Sequence, residues 1–276
     1  MNKDGKIIKI VSNLYTVQVG NDIYECRARG KFRKDSVTPL VGDFVVIDTE
    51  NAYILEIEKR RNELSRPTIA NVDVGLVLTS VKQPDLSLNL LDKELAAVSH
   101  EGIEPIIVLS KMDLLSGSEK KEIKRIFKYY KKVGYKVITN RKLFSLKRML
   151  RGKTVVLTGQ TGAGKSTLLN SLDKTLNLKT SPISQALGRG VHTTRHVELF
   201  EIAGALIADT PGFSALDLNF PKEELKELYP EFREYECKFQ NCEHVGEKSC
   251  GVKEAYKDRK IMASRYENYL KFRGEK

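Results

Sequence analysis

The segment GQTGAGKS at 159–166 has the glycine, lysine and serine spacing that binds nucleotide phosphates. Its glycines let backbone N–H groups wrap the phosphates, while Lys165 can reach the β and γ oxygens and the Ser166 hydroxyl can coordinate Mg²⁺. The apolar run TVVLT precedes it and the helical pattern STLLNSL follows it, a context that argues against a chance glycine-rich turn. We therefore predict a phosphate site formed by Gly159, Gln160, Thr161, Gly162, Ala163, Gly164, Lys165, Ser166 and Thr167.

Two further segments carry residues that suit a magnesium-bound triphosphate. In DTPG, Asp209 follows an apolar run, so it can hold the Mg²⁺ shell through a water while the Gly212 N–H faces the γ-phosphate. In GRGVHTT, either Thr193 or Thr194 can complete the Mg²⁺ shell, and His192 can touch phosphate or RNA. The alternative for GRGVHTT is an ordinary polar loop with a solvated histidine.

The segment LSKMDLL at 109–115 has the residues needed to recognise a guanine base. Asp113 can accept hydrogen bonds from both the guanine N1–H and the exocyclic amine, while the stem of Lys111 lies along the base. Adenine lacks that donor pair, so ATP would leave a buried carboxylate unpaired. Such tetrapeptides also arise by chance, but this one follows the strand-like run PIIVL, and we predict a base site at Ser110, Lys111, Met112 and Asp113.

The order of these two loops is reversed relative to ordinary guanine-nucleotide domains, in which the phosphate loop comes first. In a parallel sheet the strands keep their places whatever order the chain visits them, provided that the old ends are joined and new ends are cut at the surface. We therefore predict a circularly permuted domain in which residues 140–153 join the old ends.

The elements around these loops alternate between apolar runs and helical patterns, which is typical of a parallel α/β sheet with ligands at the carboxyl ends of its strands. Residues 5–62 differ, because they contain short β-rich runs separated by turn signals and predict a small barrel. An OB-type barrel that binds RNA is one interpretation, and a small all-β domain of another purpose is the other. The predicted strands of the α/β part include VGLVLTSV, EPIIVLS, KVIT, TVVLT and ALIAD.

Three cysteines and a histidine lie close together near the end of the sequence. Three thiolates and one imidazole within so short a segment form a ligand set for structural Zn²⁺, and buried free cysteines beside a surface histidine are the alternative. The remaining cysteine, Cys26, lies in a strand pattern and is predicted to be in a core. The candidate zinc ligands are Cys237, Cys242, His244 and Cys250.

The composition narrows the class of protein further. The 276 residues carry a net charge of +11, and residues 67–150 hold 15 Lys and Arg against 9 Asp and Glu, which favours binding to a polyanion such as nucleic acid. A well-charged surface without such a partner is the alternative. We see no leader-like or membrane-spanning run, and the few cysteines fit a reducing compartment, so we expect a cytoplasmic protein without a membrane partner.

The order S-K-x-D, GQTGAGKS, GRGxHTT, DTPGF and Cys-x4-Cys-x-His-x5-Cys resembles the RsgA/YjeQ family of circularly permuted GTPases over nearly the whole chain. The resemblance implies a GTPase that uses Mg²⁺ with GTP and one structural Zn²⁺, acts late in maturation of the small (30S) ribosomal subunit, binds its 16S rRNA, and is stimulated by that subunit. We expect a monomer with three domains: an OB-fold at 1–66, a permuted GTPase domain at 67–218 and a helical zinc-binding domain at 219–276.

Two positions depart from the family pattern. The family usually has asparagine at the position of Ser110, so a hydrogen bond to the purine and to the phosphate loop would be shortened or lost, weakening guanine affinity. We keep guanine specificity because Asp113 carries the discrimination. The base-contacting residue that the family places after its next strand, often in Ser-Ala, corresponds here to Thr139 and Asn140.

Two other functions share part of this pattern. A P-loop ATPase or nucleotide kinase would use GQTGAGKS but has no need of SKMD. An RNA-binding adaptor with a catalytically weak nucleotide site would use the barrel and the zinc cluster. Comparison of GTP with ATP binding distinguishes the first, and turnover with and without small subunits distinguishes the second.

Overall fold

The computed structural model describes residues 1–30, 32, 37–65, 67–176, 198–208, 218 and 220–274. These residues form a closed barrel, a six-stranded sheet flanked by helices, and a C-terminal region of short helices. Within these described ranges, no helix is both long enough and apolar enough to cross a membrane.

Five strands between Asn2 and Ile57 form the barrel, which closes in the order β1-β2-β3-β5-β4. Alternate side chains point inward because side chains on a strand alternate between its two faces, and Ile7, Val17, Cys26, Val45 and Ile54 are all fully buried there. The predicted barrel and the predicted core position of Cys26 are therefore both confirmed. The strands are β1 Asn2–Val11, β2 Leu14–Val19, β3 Asp22–Ala28, β4 Phe44–Asp48 and β5 Tyr53–Ile57.

A two-stranded hairpin, β6 Glu63–Ser65 and β7 Thr68–Ala70, connects the barrel to the sheet. Its backbone packs so tightly on the turn before β4 that a Cβ at Gly42 would lie 2.0 Å from the carbonyl oxygen of Ala70. Gly42 also has a φ of +91°, which side chains disfavour, so this close approach requires glycine.

The six-stranded sheet has the order β10-β9-β8-β11-β13-β12, in which only β12 is antiparallel to its neighbour. The chain therefore enters at the centre of the sheet, moves outward to β10, and returns to place β11 on the other side of β8. This is the permuted α/β order that the reversed loops predicted. The strands are β8 Val74–Ser80, β9 Glu104–Ser110, β10 Lys136–Thr139, β11 Thr154–Thr158, β12 Leu199–Ile202 and β13 Ala205–Ala208.

The helices cover the faces of this sheet with apolar stripes. The helix that follows β9, for example, buries Ile123, Phe127 and Tyr130 at helical spacing and begins with a capping box between Ser116 and Glu119. The helices are α1 Leu88–His100, α2 Gly117–Lys132, α3 Leu143–Leu150, α4 Lys165–Leu172, α5 Gly251–Lys257 and α6 Ala263–Arg273, with 3-10 segments at Met112–Leu114, Lys222–Leu228 and Pro230–Glu234.

The barrel contacts the sheet through β1. Lys6 donates a hydrogen bond to the Thr154 hydroxyl at the start of β11, and Lys9 pairs with Glu198 at 3.4 Å beside β12. Burial lowers the pKa of Lys6 to about 8, with Asp73 opposing that shift. The strand that leads to the phosphate loop is therefore held directly by the barrel.

The C-terminal region is joined to the sheet by a buried ionic cluster around Arg265 of α6. The Arg265 guanidinium donates to Asp92 of α1 at 2.8 Å and to both oxygens of Glu231 at 2.7 and 2.9 Å. Its carbon lies 4.2 Å from the ring centre of Tyr229, so the cation is also covered by an aromatic face. These contacts link three segments that are distant in sequence.

We expect the substitution Arg265→Met to lower the free energy of unfolding by about 3–5 kcal/mol, because it leaves two buried carboxylates without their cation. Urea unfolding followed by tyrosine fluorescence measures this, since the chain has 11 Tyr and no Trp. The matched control is Arg233→Met, which removes an exposed pair with Glu227 at 3.8 Å and an exposed hydrogen bond to the Glu227 carbonyl oxygen at 2.9 Å, and should change stability by less than about 0.5 kcal/mol. Equal effects of the two substitutions would contradict the role of the cluster.

Candidate nucleotide site and metal cluster

The phosphate loop leaves the carboxyl end of β11 and enters α4, as its sequence context predicted. Gly159 has a φ of +134°, and a Cβ there would lie 2.2 Å from the carbonyl oxygen of Leu78 in β8. Gly164, the residue that caps α4, has a φ of +98°. The positive φ favours glycine at both places, and at Gly159 the neighbouring strand also leaves no room for a Cβ. The loop therefore presents backbone N–H groups at the start of a helix, where anions bind.

Lys165 lies across its own loop. Its ammonium donates to the carbonyl oxygens of Gly159 and Gln160, the latter at 3.1 Å. Burial lowers the pKa of Lys165, while the carboxylate of Glu94 raises it. A phosphate oxygen at the mouth of this loop would compete with these two carbonyl oxygens for the donors of the ammonium, which has three.

The base loop leaves the carboxyl end of β9, next to β8. Lys111 adopts a left-handed conformation with a φ of 59°, which turns the chain into the 3-10 segment Met112–Leu114. The Asp113 side chain is 52% exposed and lies 3.5 Å from the guanidinium of Arg141. This carboxylate is thus open to solvent, and a guanine edge would have to displace its contact with Arg141.

Ser110 connects the base loop to the phosphate loop. Its buried hydroxyl donates to the carbonyl oxygen of Ala163 at 2.7 Å. The hydrogen bond to the phosphate loop is therefore not lost, because the sheet brings the two loops close enough for the shorter serine side chain to reach. The expected weakening of guanine affinity stays a prediction. Contact of Ser110 with the purine stays a prediction.

Thr139 and Asn140 lie at the same edge of the sheet. Thr139 pairs in register with Leu109 at the end of β9, and the Asn140 backbone N–H donates to the Leu109 carbonyl oxygen at 2.9 Å. The structure therefore brings three predicted parts together: phosphate loop, base loop and this third segment.

Five predicted site residues lie outside the residues that the structure describes. Their proposed roles in magnesium binding and hydrolysis rest on the sequence. They are His192, Thr193, Thr194, Asp209 and Gly212.

One residue beside the phosphate loop was missed by the sequence reasoning. Glu94 of α1 is 3% exposed, and its carboxylate accepts a hydrogen bond from the Thr158 hydroxyl at 3.0 Å. The sequence did contain a signal, because Glu94 lies three residues after Leu91 and four before Val98, on the buried face of the helix. A carboxylate is rarely buried at such a position without a partner.

The predicted zinc ligands converge in the C-terminal region. One ligand atom from each of the four residues lies within 4.8 Å of all the others, and the structure records all three thiols as free. His244 Nδ1 lies 3.4 Å from the Cys250 sulfur and 3.5 Å from the Cys237 sulfur. Burial raises the pKa of Cys242 to about 12, so a divalent cation would have to displace its proton on binding.

Two tyrosines of α6 hold the backbone beside these four candidate ligands. The Tyr266 hydroxyl donates to the His244 carbonyl oxygen and the Tyr269 hydroxyl to the Glu243 carbonyl oxygen, both at 2.6 Å. His244 itself has a left-handed backbone with a φ of 59°. The cluster is therefore fixed by the surrounding fold, and its donor set suits a tetrahedral metal ion.

The reversed loop order, the permuted parallel sheet and the linked phosphate and base loops together define a circularly permuted GTPase. The sequence model of the RsgA GTPase family matches residues 57–219, and that of the RsgA N-terminal domain matches residues 4–54. The chain belongs to the RsgA GTPase family, which confirms the resemblance noted in the sequence.

Comparison with relatives extends this match over the full length. The chain is 49% identical to the small ribosomal subunit biogenesis GTPase RsgA of Latilactobacillus sakei, over 98% of this chain and 95% of that protein. It is also 49% identical to the protein of that name from Geobacillus kaustophilus, over 99% and 97%.

Two solved structures share the fold. The circularly permuted GTPase YloQ aligns with a TM-score of 0.85 at 38% identity, over 99% of this chain and 94% of that one. YjeQ from Thermotoga maritima aligns with a TM-score of 0.87 at 32% identity, over 99% and 98%. The chain is therefore an enzyme that hydrolyses GTP, and Mg²⁺ is the ion with which such enzymes bind the nucleotide.

We expect Cys242→Ala to lose most of the metal bound by the wild-type protein, because it removes one of four convergent ligands. Metal content after purification, measured by inductively coupled plasma mass spectrometry, tests this. Cys26→Ala is the matched control, since Cys26 is equally buried but lies in the barrel core, and it should retain full metal content. Equal metal content in the wild type and Cys242→Ala would show that these residues do not hold a metal.

Proposed function

We propose that this GTPase binds the small (30S) ribosomal subunit and assists its late maturation, hydrolysing GTP to GDP and phosphate with stimulation by the subunit. The observation that carries this proposal is the match, over nearly the full length of both chains, to proteins named for small ribosomal subunit biogenesis. The barrel, the permuted α/β sheet and the C-terminal region all fall within that alignment.

We assign GTP binding to the edge of the sheet where the loops converge. The phosphate loop at 159–167 would hold the phosphates, Lys165 would contact the β and γ oxygens, and Asp113 would read the guanine edge. Ser110, Lys111, Met112, Thr139 and Asn140 would complete the base site. The short bond from Ser110 to Ala163 supports this assignment, because it fixes the distance between the two parts of the nucleotide site.

Magnesium would be bound between the phosphate loop and the segments that follow it. Ser166 would supply one oxygen ligand, Thr193 or Thr194 another, and Asp209 would act through a water. The ion neutralises charge that develops on the β and γ phosphates. The Gly212 N–H would face the γ-phosphate.

Hydrolysis by the protein alone should be slow. The residue after Gly212 is Phe213, which has no group that can orient a water, whereas many GTPases have a glutamine at this position. We propose that the small subunit supplies the missing order around GTP, with His192 or an rRNA group near the attacking water. GDP would then loosen the complex.

On the small subunit, the protein would bind RNA. The net charge of +11 favours association with a polyanion, and 16S rRNA is the polyanion of the small subunit. We propose that the barrel contacts this RNA and that the protein acts as a cytoplasmic monomer.

We propose domain boundaries at 1–66, 67–218 and 219–276. The end of β5 at Ile57 and the start of β8 at Val74 bracket the first boundary. The second boundary follows β13 and precedes the 3-10 segment that begins at Lys222.

The metal in the C-terminal cluster would be a single structural Zn²⁺. Three thiols and one imidazole favour zinc over magnesium or calcium, which prefer oxygen ligands. All four positions would be filled by protein, and this leaves none for substrate.

We expect purified small subunits to accelerate GTP turnover, and Lys165→Ala to lose roughly 100-fold or more of the stimulated rate because the β and γ charges lose their cation. Phosphate release with and without subunits measures this, and Lys174→Ala, an exposed lysine, is the control. Co-sedimentation should be stronger with a GTP analogue than with GDP. Turnover that subunits leave unchanged would favour an RNA-binding adaptor.

We expect Asp113→Asn to lower GTP affinity roughly 10- to 100-fold and to raise affinity for xanthine nucleotides, because xanthine has a carbonyl where guanine has an amine. Competition of GTP, XTP and ATP against a fluorescent nucleotide measures the preference. Asp258→Asn, an exposed carboxylate beside Lys260, is the control. Unchanged GTP affinity in Asp113→Asn would remove Asp113 from the base site, and preference for ATP in the wild type would favour a P-loop ATPase.

A further inference from the structure

Glu94 is a buried carboxylate that the proposed hydrolysis does not use. It lies on α1, whose buried face is otherwise mainly apolar, and it points toward the carboxyl end of β11. Leu78, Leu90, Leu91, Ser87 and Gln160 line the space beside it together with Thr79 and Ser80. An apolar side chain would fill such a site at lower cost, so the carboxylate has a local role.

The partners of this carboxyl group lie where β11 passes into the phosphate loop. The Thr158 hydroxyl donates to it at 3.0 Å, and the backbone N–H of Gly159 also donates to it. Among the residues that the structure describes, Lys165 is the charged group that shifts the pKa of Glu94, and the side chains from α1, β8 and Gln160 that line the space beside it are uncharged. Glu94 therefore contacts the last residue of β11 and the first residue of the loop.

We infer that Glu94 is a positioning residue of the phosphate loop, and that its carboxylate weakens nucleotide binding whenever it is ionised. The inference rests on the proposed role of the loop as the phosphate site. As a hydrogen-bond acceptor, Glu94 holds the start of the loop in its binding shape. As an anion, it repels the phosphates and attracts Lys165, which the phosphates would also bind.

The protonation of Glu94 falls in the range where this effect can be measured. Burial raises its pKa from the ordinary 4.5 to about 7, while Thr158, Lys165 and Gly159 oppose that shift. A bound nucleotide brings further negative charge and draws Lys165 away, so it should raise the pKa again. By linkage, nucleotide binding takes up protons, and affinity falls as the pH rises through about 7.

The substitution Glu94→Gln separates positioning from charge. Its amide oxygen can still accept from Thr158 and Gly159, but the side chain cannot ionise. Glu94→Ala removes both the acceptor and the charge. Glu101→Gln, at a half-buried position directly after the same helix, is the control.

The measurement is the affinity for fluorescent GDP between about pH 6 and about pH 8.5. The wild type and Glu101→Gln should lose roughly three- to tenfold more affinity over this range than Glu94→Gln. At the alkaline end Glu94→Gln should bind more tightly than the wild type, and Glu94→Ala more weakly than Glu94→Gln. The terminal phosphate titrates in a nearby range, so the difference between proteins is the informative quantity.

Calorimetry in buffers of different ionisation enthalpy gives an independent readout. At about pH 7 the wild type should take up more protons on binding GDP than Glu94→Gln does. Thermal unfolding without nucleotide verifies that each variant is folded.

Parallel pH profiles of the wild type and Glu94→Gln, with equal proton uptake, would overturn the electrostatic effect. Equal affinity of Glu94→Ala and Glu94→Gln would overturn the positioning role. Failure of the proposed nucleotide site would appear differently, because the wild type itself would then bind no guanine nucleotide.

Discussion

The parallel pairing of β9, β8 and β11 is the constraint on which the nucleotide site depends. Parallel strands end at the same edge, so the loops that follow β9 and β11 meet there although the chain visits them in reversed order. The hydroxyl of Ser110 then reaches the carbonyl oxygen of Ala163 across 53 residues of sequence. Permutation of the chain leaves this geometry intact because hydrogen bonds between strands do not depend on how the strands are connected.

The same sheet is held from two sides. The barrel contacts the start of β11 through Lys6, and α6 contacts α1 through Arg265 and Asp92. α1 also carries Glu94, which supports the phosphate loop. One helix thus touches both the ionic cluster of the C-terminal region and the nucleotide site. The helix α1 therefore connects the packing of the C-terminal region physically to the shape of the phosphate loop.

Much of the site was predictable because its determinants are local. The glycines at 159 and 164 are required by backbone conformations that other residues disfavour, and such requirements leave a readable spacing. The barrel and the convergence of the candidate metal ligands were predictable for similar reasons: alternating side chains in the barrel, and sulfur and imidazole groups within one short segment. The sequence did not predict that Ser110 keeps its hydrogen bond to the phosphate loop, because the distance between two loops cannot be read from either loop alone.

The sequence by itself determined the family, the loop chemistry and the permuted order, since motif spacing within one strand and its loop is a short-range property. Only the tertiary structure decided which distant groups meet. Arg265 pairs with Asp92, which is 173 residues away in the sequence. Glu94 accepts a hydrogen bond from the Thr158 hydroxyl, which is 64 residues away. In the sequence these are ordinary charged residues in helical patterns. Their roles depend on burial, because a carboxylate removed from water needs a hydrogen-bonding or cationic partner, or else binds a proton. The fold determines which of these applies.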